Sequence, residues 1–248
     1  MNKKITYKYL ILNYIEMLCC GIISGLVSLV VTNSYINQNI ENILKNRYFD
    51  YVRNVMFFND GYKDIAYMNG SITKLFTILL YFYIPPLMFL LYKYSRETEK
   101  YYPMLMVRFN SSKEVIKNIR KSPFFLFSVY VVGFMGCVVL IGNSMCKISM
   151  NSSILYDILM FSILRIVVLT VFGNILFLIY IKYGTGISFF MVNILFLIIS
   201  MTDINIKKVN ILLYHPGRCY IENIITLCII LLFIRIKFLN GALLAPWE

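Results

Sequence analysis

The residues that could do bond chemistry are few and scattered. One histidine, His215, sits beside Pro216 in a His-Pro-Gly-Arg turn, and a lone turn histidine is usually structural. Six cysteines and that histidine give no zinc-ligand spacing and no His-Glu-x-x-His stretch, which argues against metalloprotease chemistry. No Gly-x-x-x-x-Gly-Lys-Ser/Thr stretch occurs, so the chain lacks that device for holding ATP. Gly184-Thr185-Gly186 has no nucleotide-binding context and reads as a tight inner turn. The expectation is a protein that is not an enzyme and that holds no metal or cofactor of its own.

Two ionisable residues fall inside apolar runs. Glu16 lies about two helical turns into the first run, and Arg165 lies in the fourth, nearer the outer face. Burying either in lipid costs about 3 kcal/mol, so each should face protein or a wet cavity. One reading makes them a polar lining for a substrate path, with Asn174 and Asn193 as weaker members. The competing reading lets both charges snorkel to the nearest interface and gives the asparagines to hydrogen bonds between helices.

A third feature is local and mechanical. The island 93–123 carries eight basic residues against three acidic ones. Inside it, Ser111 can cap a helix by accepting from the Glu114 backbone N–H, while the Glu114 side chain reaches back to the Ser111 N–H. Val115, Ile116 and Ile119 then share one face, and Lys113, Lys117 and Arg120 much of the other. Pro123 stops the helix. Three turns are marginal alone in water, so this helix needs a surface: lipid headgroups, span ends or the groove of a partner.

The elements that position these residues are membrane spans. The chain has 248 residues, of which 59% are hydrophobic and only 15% charged, with a mean hydropathy of +0.71. A soluble domain carries about 25% charged residues. Apolar runs at about 10–31, 75–92, 124–145, 158–181, 183–201 and 221–239 are each close to the roughly 20 residues that cross a bilayer. The expected fold is all-α, a single polytopic domain of six transmembrane helices. Pro85-Pro86 is expected to kink the second span or end it early.

Charge sets the expected orientation. With the N-terminus inside, inner segments hold 14 basic residues and outer segments nine, which favours both termini in the cytoplasm. The net charge of +12 therefore reports membrane topology; without a basic module and stacking aromatics it does not indicate nucleic-acid binding. The basic N-terminus precedes an apolar run too long for a signal-peptide core, so that run is expected to stay as a span.

The outer loop 32–73 has apolar residues at helical spacing from Ile36 to Val55. They predict an amphipathic helix that extends the first span or lies on the outer surface. Before the sixth span, 209–214 is apolar but too short to cross, and is read either as a re-entrant element or as a surface loop. Cys146 and Cys219 both fall near the predicted outer face, where a disulfide between them is one option.

The stretch Arg108-Phe109-Asn110-Ser111-Ser112-Lys113-Glu114-Val115-Ile116 resembles the first cytoplasmic loop of ABC-2-type permeases, the six-span subunits of ABC transporters. The order of basic N-terminus, span, outer loop, span, basic island and four further spans is similar too. The long outer loop and the double proline depart from the general pattern of that family and resemble small Firmicutes permeases of peptide or bacteriocin export and immunity more than drug or polysaccharide exporters. The resemblance implies a coupling helix between spans two and three. Val115, Ile116 and Ile119 would fill a groove on a separate ABC ATPase subunit that binds the ATP, and Arg108, Lys113 and Lys117 would steer toward acidic residues at its rim. It also implies a second copy or a related permease as partner, a bacterial cell membrane as location, and a peptide or other amphipathic substrate. The alternative is a stand-alone immunity or sensor protein that captures a peptide at its outer loop without an ATPase.

Overall fold

A computed structural model of the chain describes residues 3–38, 80–96, 123–146, 152–205, 212 and 224–232. Among the described residues all regular structure is helical. We label the helices α1 (Lys3–Gln38), α2 (80–96), α3 (Phe124–Cys146), α4 (Ser152–Asn205) and α5 (224–232).

Three of these helices contain stretches long and apolar enough to cross a membrane: Ile11–Val30, Phe124–Ile141 and Ile158–Ser200. The third is 43 residues long, or about 65 Å if straight, twice the hydrocarbon thickness. It is not straight. Gly184 leaves helical geometry at φ 78° and ψ −174°, a region open essentially only to glycine. The Phe172 and Phe196 rings then lie 6.1 Å apart, where a continuous helix would hold them about 36 Å apart. The two residues are spaced equally about Gly184. The chain therefore folds back there into a helical hairpin, at the turn the Gly-Thr-Gly spacing predicts.

Contacts fix the relative directions. Gly21 of α1 meets Tyr130 and Phe134 of α3, and Gly25 meets Phe134 and Cys137, so α1 and α3 run parallel. Phe82 of α2 touches Phe134, while Leu90 and Phe127 meet over Gly173, so α2 is antiparallel to α3. Tyr83 reaches Arg165 and Tyr94 packs on Phe177, so α2 parallels the first arm of α4. Successive segments thus alternate in direction through the second arm of the hairpin.

The α1–α3 seam depends on missing side chains. A Cβ at Gly21 would sit 2.3 Å from the Tyr130 carbonyl oxygen, and one at Gly25 would sit 3.0 Å from that of Phe134. Gly133 answers from α3, where a Cβ would lie 2.8 Å from the Leu18 carbonyl oxygen. Without a hydrophobic drive between helices in lipid, such close backbone approach is what holds them together. The outward faces of these helices, including Ile23, Val30, Val132 and Leu140, are exposed and apolar, as lipid contact requires.

Two helices run beyond their apolar runs, the first as one of the expected alternatives and the second not. First, α1 is 36 residues long, about 54 Å. It continues past the first span as far as Gln38, so the start of the outer loop extends that helix. Second, α2 neither ends at Pro85-Pro86 nor stops at Tyr92; it runs on to residue 96 and takes in the first residues of the basic island.

The seam makes a direct prediction. Gly21→Ala should lower stability by about 1–3 kcal/mol through overpacking. Gly136→Ala, whose Cβ would meet nothing within 4 Å, should instead leave stability unchanged or raise it by up to about 1 kcal/mol. Denaturant titration of the two variants in bicelles reads the difference.

Candidate functional site

The polar centre of the bundle is built on α2. Proline has no N–H, so Pro85 and Pro86 leave the carbonyls of Tyr81 and Phe82 without their i+4 donors. In lipid no water replaces them. The Tyr130 hydroxyl of α3 donates to the Phe82 carbonyl at 2.8 Å and stands in for one missing amide. Ser24 of α1 is buried beside the same phenol. Tyr130 is fully buried, and its single hydroxyl ties α3 to α2. This bond gives a physical reason why the helix persists through two prolines.

One residue further on, the Tyr83 hydroxyl accepts from Nη1 of Arg165 on α4. Arg165 is 1% exposed. Its guanidinium lies 4.3 Å from the Phe161 ring centroid and 5.6 Å from that of Tyr83. Stacking on ring faces suits the weakly hydrated guanidinium better than it would an ammonium. Tyr83 in turn touches Phe172 and Phe196, at centroid distances of 6.2 and 5.0 Å. Arg165 therefore turns inward, into the groove between α2 and the α4 hairpin, and does not snorkel along its own helix. It fixes a positive charge inside the bundle.

The other candidates lie elsewhere. Glu16 is half-buried on α1, one turn from Asn13, whose Oδ1 accepts a long 3.4 Å bond from Arg96 Nη2. Thirteen residues of α2 separate Arg96 from Tyr83, so Glu16 and Arg165 are about 15 Å apart along the bundle axis. Asn174 is buried and donates to the Thr170 carbonyl at 2.6 Å. Asn193 is half-buried and donates to the Phe189 carbonyl of its own helix at 2.8 Å. The structure does not gather these four residues into one site.

Other polar side chains follow the same i−4 pattern. Ser128, Ser162, Thr170 and Ser200 each donate to the carbonyl one turn back, which hides a hydroxyl inside an apolar helix. Among the described residues no three His, Cys, Asp or Glu side chains cluster as metal ligands. Arg108, Ser111, Lys113, Glu114, Val115, Ile116, Lys117 and Ile119 lie outside the described residues, as do His215 and Cys219. So does 209–214, apart from the buried Leu212.

Sequence reasoning missed Tyr83 and Tyr130. The signal for Tyr130 was present in part: a double proline in a span demands donors from neighbouring helices. Gly21-Ile22-Ile23-Ser24-Gly25 was equally readable as a Gly-x-x-x-Gly packing face. No family model, curated protein or solved structure matches this chain.

Two substitutions test the centre. Tyr83→Phe should cost about 1.5–3 kcal/mol, because it removes a hydrogen bond to a charged group. In an Arg165→Met background the same change should cost less than about 0.5 kcal/mol. Tyr130→Phe should cost about 1–2 kcal/mol, most of it recovered in Pro86→Ala, where residue 86 again supplies an amide. Double-mutant cycles from unfolding in bicelles measure both couplings.

Proposed function

We propose that this chain is the membrane-spanning permease subunit of an ABC transporter of the ABC-2 type. It pairs with a second copy or a related permease and exports a peptide or other amphipathic substrate from a bacterial cell. A separate ATPase subunit supplies the energy. In this reading the chain has six spans with both termini in the cytoplasm, and the basic island carries the coupling helix.

The observation that supports the reading is where the island is attached. It joins the end of α2 to the start of α3, and these helices run antiparallel against each other. On the α2 side, Lys93 and Tyr94 are buried and Arg96 bonds to Asn13 of α1. On the α3 side, the helix starts at once after Pro123, whose carbonyl accepts from Phe127 N–H at 3.0 Å. A push on the island is thereby delivered to three helices, as a coupling element requires. The fixed charge of Arg165 in the same bundle favours anionic over cationic groups at its level.

Co-expression with a candidate ABC ATPase subunit tests the proposal. A detergent-stable complex is expected. Changing Val115, Ile116 and Ile119 to Asp should reduce ATPase co-purification at least about tenfold, since tenfold is only 1.4 kcal/mol and each buried aliphatic side chain contributes about 1.5–3 kcal/mol. Undiminished co-purification of the triple variant overturns the docking claim. Peptide protection in cells without any ATPase would favour the stand-alone immunity reading.

A further inference from the structure

We propose that Pro85-Pro86 is a hinge in α2 and that the Tyr130 hydroxyl is its lock. The hinge rests on the helix geometry alone; the stroke it would transmit rests on the transport reading above.

Helices bend at proline because an i→i−4 bond is missing and the ring crowds the carbonyl one turn back. Two consecutive prolines remove two such bonds, at Tyr81 and Phe82, on adjacent positions of one turn. Bending opens the helix at those carbonyls. The Phe82 carbonyl is the one that Tyr130 holds, at 2.8 Å. Tyr130 is fully buried and packed on the Phe82 ring at 5.6 Å and the Phe134 ring at 6.3 Å. The hydrogen bond that opposes opening therefore lies on the joint itself and comes from a rigid neighbour.

The two arms meet α3 and α4 at different levels, and the second arm also reaches α1. Before the prolines, Phe82 is held by α3 and Tyr83 by Arg165, Phe172 and Phe196 of the α4 hairpin. After them, the arm 87–96 is attached to the N-terminal part of α1 through Arg96. It meets α4 through Tyr94, on Phe177 and Tyr180, near the hairpin turn. The far end of this arm runs into the basic island. Force applied at the island thus acts on a lever of about ten residues whose fulcrum is the proline pair. The upper arm keeps Tyr83 against Arg165, Phe172 and Phe196, while a swing of the lower arm shifts Leu90 and Tyr94 against α3 and α4.

Spin labels test the hinge in the full chain, reconstituted in lipid nanodiscs with its six native cysteines replaced. One label goes at Tyr92→Cys on the lower arm and one at Val132→Cys on α3; the native side chains are 61% and 64% exposed. Electron–electron resonance should show one main distance with a minor longer population. Tyr130→Phe should make the longer population dominant, shifted by about 3 Å for a 20° swing at a label about 9 Å beyond Pro86. Pro85→Ala with Pro86→Ala should remove the longer population, with Tyr130 intact or changed to Phe. Identical distributions in all variants overturn the hinge. Broadening by Tyr130→Phe that persists after proline replacement overturns the lock, because the loosening would then be general. If Tyr130→Phe does not fold, the comparison of native and proline-replaced chains still decides: loss of the minor population supports the hinge, and no change overturns it.

Discussion

In hydrocarbon every backbone polar group must find its partner inside the protein. That constraint orders this bundle. Helices supply most partners, and the exceptions locate the features that matter. Pro85-Pro86 withdraws two amide donors from α2, and a phenol from α3 replaces one of them. Tyr130 must then be buried and fixed, which brings Ser24 of α1 against it and draws α1 and α3 to backbone contact over glycines. Tyr83, the next residue along α2, receives the buried guanidinium of Arg165. Two adjacent residues of one helix thereby organise four elements.

The same constraint explains the quieter polar residues. Ser128, Ser162, Thr170, Asn193 and Ser200 donate to their own helix one turn back. These bonds need no second helix. Arg165 cannot be satisfied that way, because its fork of donors is too long and too charged. Its answer is aromatic faces and a tyrosine hydroxyl from across the bundle.

Much of this was legible in the sequence where the signal is local. The apolar runs, the turn at Gly184-Thr185-Gly186 and the start of α3 after Pro123 follow from length, glycine freedom and proline placement. The persistence of α2 through two prolines was not legible, since it depends on Tyr130, 48 residues away. The inward turn of Arg165 depends on Tyr83, 82 residues away; from the sequence alone, snorkelling was an equal option. The Gly21–Gly25 spacing was visible, but its partner surface was not. The coupling residues from Arg108 to Ile119 rest on the sequence resemblance.

The proposed coupling role requires that the basic island face the cytoplasm. The fold links this to a second point: the α4 hairpin turn at Gly184 lies at the same end of the bundle as Arg96, because α2 parallels the first arm of α4. Single cysteines at Lys113 and at the exposed Thr185 can be probed with a membrane-impermeant maleimide in a background stripped of native cysteines. Both should be protected in intact cells and react after permeabilisation. Labelling of Lys113→Cys in intact cells would contradict the account, since no ATPase could then reach the island.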